Sequence, residues 1–138
     1  MSESIPGLGS RREAREEALA LLYEAEQTGD RIADSLARRP ILPADYAIEL
    51  ASGVETSVTE LDSLISANLT GWTISRMPVV DRVIARIGAW ELSQRPEIPT
   101  GVVLSEAVEI ATQYCAEHSP RFLNGVLRSI ADEVRDSE

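Results

Sequence analysis

The spacing of apolar residues constrains the fold of this chain more than any other feature. In every segment rich in aliphatic residues, these residues recur at intervals of three or four positions. No segment alternates apolar and polar residues in the way that a half-buried strand does. The spacing therefore predicts an all-α fold of about seven helices in two packed groups.

The start of the first helix is predicted from its capping residues. Ser10 and Glu13 have the S-x-x-E spacing of a capping box, so the first helix is predicted to begin at Ser10. Gly29 is a natural stop for the same helix. Residues 1–9 carry two glycines and a proline, so we expect a flexible N-terminal tail. At 138 residues the chain suits one domain, and we expect a single all-helical domain over residues 10–135.

Later helices follow from the same spacing. A short helix is predicted over residues 30–38 and a long one from Pro43 to Ile65. The most apolar helix runs from Met77 to the residue before Pro96, and its apolar residues cover much of its circumference, so we expect it to be central. Trp72 lies in the turn that precedes this helix, and we expect it to fill the core.

The stretch that begins at Ser119 is the least generic part of the chain. Ser119 is predicted to cap a last helix, with Pro120 at the first helical position. Gly125 interrupts that helix at a cost of about 1 kcal/mol relative to alanine, which predicts close approach of another helix backbone. Phe122 and Asn124 lie nearby and suit binding chemistry. The alternative is that Asn124 only ties the helix to a loop.

The positive charges are unevenly distributed along the chain, and this changes what the net charge implies about possible ligands. The net charge is −10, which by itself argues against nucleic acid as a ligand. All 13 basic residues are arginines, and ten of them gather at 11–15, 76–95 and 121–135, whereas residues 40–71 contain none. An acidic protein with a confined basic face can bind phosphate weakly and with strong salt dependence.

The sequence contains little that suggests catalysis. It has no glycine-rich phosphate loop and no pair of cysteines or histidines with metal-ligand spacing, so we expect no enzyme, metal or cofactor. Cys115 and His118 are three residues apart, but nothing orients them, and we expect an inert thiol and a loop histidine. A single cysteine forms no internal disulfide. With neither a signal peptide nor a membrane span, a cytoplasmic location is predicted.

Several segments, in order along the chain, resemble one known family. RREAR at 11–15, followed by ALALLY at 18–23, resembles the first helix of the NusB family of bacterial transcription antitermination factors. DRVIARIGAWEL at 81–92 resembles the central helix of that family, and SEAVEIA at 105–111 resembles the next one. FLNGVL at 122–127 is similar to the family motif F-V-N-G-V-L.

This resemblance implies a NusB-like fold of two small helical bundles without enzymatic activity. Members pair with NusE, a small-subunit ribosomal protein, and the pair grips the single-stranded boxA element of ribosomal RNA leader transcripts. The complex joins NusA, NusG and RNA polymerase and suppresses premature termination. Some members form homodimers through the surface that otherwise meets partners.

The resemblance also implies roles for particular residues. RNA contacts map to Arg11, Arg12, Arg15, Arg82, Arg86, Ser119, Phe122 and Asn124. Tyr23 and Asp81 face NusE. Arginine donates paired hydrogen bonds to phosphate, and a phenylalanine ring stacks on a base, so the residue types suit these roles.

Two other interpretations stay open at this point. The chain could be a NusB-like helical module that binds proteins and has no significant RNA binding. NusB-like domains also precede the catalytic part of certain rRNA cytosine methyltransferases. That third interpretation needs a fused methyltransferase, for which we expect no room before Glu138.

Overall fold

The described part of the chain is entirely helical. The computed structural model describes the backbone of residues 9–135 and the side chains of residues 11–135, and within this range it has seven α-helices, one 3₁₀ turn and no strand. The α-helices are α1 (Gly9–Thr28), α2 (Ile32–Ala37), α3 (Asp45–Thr56), α4 (Val58–Ala67), α5 (Val79–Gln94), α6 (Thr100–Tyr114) and α7 (Ser119–Val134). The 3₁₀ turn is Ile74–Arg76. The prediction of an all-α fold with about seven helices is confirmed.

The predicted N-terminal tail falls almost wholly outside the described residues. Residues 1–8 lie beyond the described range, as does the side chain of Ser10, so the tail and the capping box stay predictions. The first helix begins at Gly9, one residue earlier than predicted, and ends at Thr28. Gly29 follows it with a φ of 79°, a backbone conformation that favours glycine at a helix end.

The helices form two compact units, one ending at Thr56 and the next beginning at Ser57. In the first unit, α1 packs against α3 and against the shorter α2. The two longer helices each bury alanines one turn apart: Ala14 and Ala18 on α1, and Ala47 and Ala51 on α3. Small side chains at these positions let the helices pack closely. The expectation of one domain over residues 10–135 stays a prediction.

The predicted long helix from Pro43 to Ile65 is wrong, because the helix is interrupted at Ser57. This residue has a φ of −108° and a ψ of 17°, and α4 begins after it. Thr56 and Ser57 are weak helix formers whose hydroxyl groups compete for backbone hydrogen bonds. The spacing of apolar residues continues across the interruption, although α3 belongs to the first unit and α4 to the second.

The second unit is built around α5, as predicted. This helix packs against α4, α6 and α7, and ten of its sixteen residues are buried. Its C-terminal end is held by Arg135, whose guanidinium donates to the carbonyl oxygens of Leu92 (3.0 Å), Ile98 (2.7 Å) and Arg95 (3.0 Å). The arginine therefore satisfies carbonyl groups that the end of α5 and the turn after it leave without helical partners.

Close packing between helices occurs at a different glycine from the predicted one. A Cβ atom added to Gly88 on α5 would lie 2.8 Å from both δ-carbons of Leu127 on α7. A Cβ atom added to Gly125 would meet nothing within 4 Å, and this residue is exposed. The prediction of close approach at Gly125 is therefore wrong. The helical repeat turns Leu123 and Leu127 inward and leaves Gly125 facing outward.

Candidate functional site

A buried polar cluster fixes the start of α7. The hydroxyl of Ser119 is completely buried and donates a hydrogen bond of 2.6 Å to Oδ2 of Asp81, itself only 3% exposed. The residue before the helix is His118, and no side chain caps the helix there. The prediction that Ser119 is the cap is therefore wrong: it is the first helical residue, and its side chain binds the first turn of α5 instead.

The carboxylate of Asp81 also affects the pKa of Cys115, the only cysteine of the chain. Burial, together with the hydrogen bond and the negative charge of Asp81, raises the pKa of the Cys115 thiol to about 12. A thiol with this pKa is protonated at neutral pH and is a poor nucleophile. The side chain of His118 is exposed. His118 lies in the turn before α7, as expected for a loop histidine, and the inertness of the thiol stays a prediction.

An open pocket of about 160 Å³ lies beside this cluster. Its apolar wall is formed by Trp72, Phe122, Met77 and Pro78. Three polar residues also line it: Thr70, Asp81 and His118. Phe122 is predicted to contact RNA and Asp81 to contact NusE, and both residues line this one pocket.

The prediction that Trp72 fills the core is wrong. Its side chain is 46% exposed and lines the pocket. The reason lies in the backbone, because Trp72 follows Gly71, which has a φ of 68°, and occupies an irregular segment between α4 and the 3₁₀ turn. Sequence reasoning missed Trp72 as a site residue. The available signal was its position after a glycine in a turn, where exposure is common.

The outward face of α7 continues from this pocket along the helix. Arg121, Asn124, Gly125 and Arg128 are all exposed, whereas Phe122 is half-buried. Residues three and four positions apart are neighbours on a helix surface, so the two arginines flank the amide and the glycine. Of the predicted RNA-contact residues on α7, Asn124 and Phe122 are therefore accessible, and Ser119 is not.

The two predicted arginines of α5 are engaged with other groups of their own unit. Arg86 binds Asp62 on α4 through two parallel hydrogen bonds, each of 2.8 Å, and its side chain is only 11% exposed. Arg82 is half-buried and donates to the carbonyl oxygen of Met77 at 3.0 Å. The resemblance assigned both arginines to RNA. The spacing along α5 gives no sign of the pairing of Arg86, because Asp62 lies on another helix, twenty-four positions away.

The three predicted arginines of α1 differ from one another in exposure. Arg11 lies over the ring of Tyr46, 4.1 Å from its centroid, and is half-buried like Arg12. Arg15 is only 3% exposed, and its guanidinium is 6.0 Å from the same ring. The two predicted partner-binding residues also differ: Tyr23 on α1 is 41% exposed, whereas Asp81 is buried.

Two further kinds of feature are absent from the described residues. Over residues 9–135 no group of three or more histidine, cysteine or acidic side chains is arranged to hold a metal ion. In the same range, no helix has the length and apolar character that crossing a membrane requires.

Over residues 9–135, the fold and these surfaces define a small all-α protein of seven helices with a pocket and a basic helix face at the start of α7. The chain belongs to the NusB family, whose model matches residues 12–132.

Similar proteins agree along nearly the whole chain. It is 38% identical over 129 residues to the transcription antitermination protein NusB of Kineococcus radiotolerans, covering 91% of this chain and 95% of that protein. It is 40% identical over 124 residues to the NusB protein of Paenarthrobacter aurescens, covering 87% and 91% of the two chains.

Solved structures show the same fold. NusB of T. maritima aligns with a TM-score of 0.79 and 32% identity over 89% of this chain and 91% of its own. A crystal structure of the antitermination factors NusB and NusE in complex with double-stranded RNA aligns with a TM-score of 0.78 and 27% identity, over 91% of this chain and 98% of that one.

Proposed function

We propose that this chain is a transcription antitermination factor that binds boxA-like single-stranded RNA of ribosomal RNA leader transcripts together with NusE. The relatives named above are antitermination proteins, and one structural neighbour was crystallised with NusE and RNA. In the cell, the complex of protein, NusE and RNA joins NusA, NusG and RNA polymerase and supports transcription of ribosomal RNA. We place its activity in the cytoplasm.

The observation that carries this proposal is the accessible group at the start of α7. Phe122 offers an aromatic ring, and the exposed Asn124 offers an amide that reads base edges. Arg121 and Arg128, both exposed, supply positive charge on the same face. These groups form a confined basic surface on a chain whose net charge is −10.

The predicted residues fall into two groups, those that are accessible and those that are buried. Arg11, Arg12, Arg82, Phe122 and Asn124 are at least partly accessible and contact RNA in this proposal. Three others act indirectly by holding the surfaces in place: Arg15, Arg86 and Ser119. On the partner side, Tyr23 contacts NusE directly, whereas the buried Asp81 orients the start of α7.

Fluorescence titration of labelled boxA-like RNA, with and without saturating NusE and over a range of salt concentrations, tests the proposal. With about three phosphates neutralised, the log–log salt slope should be about −2, since each contact to single-stranded RNA contributes about −0.7. Phe122→Ala should weaken binding by about 1–3 kcal/mol through lost stacking and leave this slope unchanged.

A pair of arginine variants provides a matched control for charge. Arg11→Ala should flatten the salt slope by nearly one contact. Arg31→Ala makes the same change of charge at an exposed position before α2 and should leave the slope unaltered. Absence of binding to boxA-like RNA by folded protein at low salt with saturating NusE would exclude the RNA-binding function.

The alternative function is a protein-interaction module without significant RNA binding. Two observations favour it: Arg86 is paired with Asp62, and Arg15 is buried. Both cations are therefore removed from the predicted basic face. This module would bind NusE normally, or form a homodimer through the same surface, while RNA binding is absent. Calorimetric titration with NusE alone, beside the RNA titration, distinguishes the two functions.

A further inference from the structure

We propose that the pocket beside the start of α7 receives one unstacked base of the bound RNA, with Trp72 stacking on that base beside Phe122. This inference rests on the proposed RNA-binding function and adds a base subsite and a binding residue to it. Trp72 belongs to none of the sequence segments that resemble the family, and it is exposed in the structure.

Aromatic residues are concentrated at this pocket. The whole chain has six of them, and two line this one pocket. The side chain of Trp72 is 46% exposed, whereas the other tryptophan, Trp90, is 8% exposed and belongs to the core. Exposed aromatic rings that share a concave surface are typical of sites at which single-stranded nucleic acid stacks its bases.

The pocket also has a size that suits one ring system. Its volume is about 160 Å³, and in another protein an apolar cavity of about 150 Å³ holds one benzene molecule. A pocket of this size accepts one flat ring system with little rearrangement. Met77 and Pro78 supply an apolar floor.

The rim of the pocket carries polar groups and has positive charge nearby. Thr70 and His118 line the pocket and are both exposed, so their side chains can exchange hydrogen bonds with the edge of a base. Arg76 and Arg121 adjoin the lining residues Met77 and Phe122 in sequence, and both are exposed. Positive charge beside an apolar pocket favours an occupant that carries phosphate groups over an aliphatic side chain of a protein.

The test combines variants of the protein with abasic RNA. We would measure binding of labelled boxA-like RNA to the full chain with NusE present, using wild type, Trp72→Ala, Trp72→Phe and Tyr114→Ala. Tyr114 is 53% exposed on α6 and does not line the pocket, so it is the matched aromatic control. In parallel, single abasic nucleotides would replace each position of the RNA in turn.

We expect Trp72→Ala to weaken RNA binding by roughly tenfold to a hundredfold, the range for loss of one stacking aromatic side chain. Trp72→Phe should restore most of the affinity, and Tyr114→Ala should change it less than twofold. The salt slope should be unchanged, because no phosphate contact is lost. One abasic position, and only one, should abolish the difference between wild type and Trp72→Ala, because the partner base is already absent.

Intrinsic fluorescence gives a second readout that does not depend on affinity. RNA should quench the tryptophan emission of wild type through stacking on Trp72. In Trp72→Phe the remaining tryptophan is buried, so RNA should bind without comparable quenching.

Several results would overturn the inference, and one of them separates it from the proposed function. If wild type binds RNA and Trp72→Ala binds equally well, the function stands and the base subsite is wrong. If Trp72→Ala weakens binding of NusE in the absence of RNA, the occupant is a protein side chain. If wild type binds no RNA, the proposed function and the subsite fail together.

Discussion

On its inward face, α7 presents Leu123, Leu127 and Ile130, none of which is exposed. On its outward face, the same helix presents Arg121, Asn124, Gly125 and Arg128, all of which are exposed. The inward face meets α5, where the absence of a side chain at Gly88 makes room for Leu127. We therefore expect substitutions on the inward face to change the free energy of unfolding, and substitutions on the outward face to change ligand binding.

The largest expected effect is at the contact between α5 and α7. Gly88→Leu places a side chain where even a Cβ atom would lie 2.8 Å from two carbons of Leu127. Leu127 is fully buried and has to shift to accommodate the new side chain, so overpacking should lower the free energy of unfolding by about 3 kcal/mol. The gain in helix propensity, about 1 kcal/mol, does not offset this loss. Denaturant unfolding measures the difference.

Gly101→Leu is the matched control for this substitution. Gly101 lies in the first turn of α6, and a Cβ atom there would meet nothing within 4 Å. The same change of residue should therefore not lower the free energy of unfolding, because only a gain in helix propensity of at most about 1 kcal/mol remains. Equal destabilisation by the two variants would show that the cost comes from leucine in the helices and not from the contact with Leu127.

An intermediate effect is expected at the polar end of the same interface. Asp81→Ala removes the acceptor of the buried Ser119 hydroxyl and should lower the free energy of unfolding by about 1–2 kcal/mol. It also removes a negative charge that raises the pKa of Cys115, so this pKa should fall below about 12, although burial continues to raise it. Alkylation rates measured against pH report the change.

Ser119→Ala separates the two consequences of that substitution. It removes the hydrogen bond between Ser119 and Asp81, and it leaves the carboxylate of Asp81 beside the thiol. The pKa of Cys115 should therefore remain high in this variant. If Asp81→Ala left the alkylation profile of folded protein unchanged, the contact between the thiol and the carboxylate would be refuted.

The helices and their central member could be predicted from the sequence because apolar spacing depends on local geometry alone. The buried stripe of α5 and the start of α7 near Ser119 are examples. The interruption at Ser57 could not be predicted from spacing, because the apolar residues of α3 and α4 remain in phase across it. Two separate units can share a continuous pattern when their helices follow each other directly.

The site residues were harder to predict because their availability depends on partners distant in sequence. Arginine spacing gave no indication that Arg86 binds Asp62 or that Arg15 is buried. In the same way, a glycine inside an apolar motif suggested close packing, yet the close contact is at Gly88 and not at Gly125. Residue type predicts what a side chain can bind, whereas burial decides whether it is accessible.

The smallest expected effect, with the opposite sign, is at Gly125 on the outward face. Since a Cβ atom there meets nothing within 4 Å, Gly125→Ala should raise the free energy of unfolding by about 1 kcal/mol through helix propensity alone. Gly125→Leu should also leave the fold intact, in contrast to Gly88→Leu.

We expect a bound molecule to approach the helix backbone at Gly125, because the glycine lowers stability without contributing to internal packing. If so, Gly125→Leu should weaken binding of RNA or NusE while thermal melting shows a protein at least as stable as wild type. Unchanged binding of both ligands would limit the binding surface of α7 to its first turns, around Phe122. A loss of stability in Gly125→Ala would instead contradict the outward placement of this residue and the distinction between the two faces.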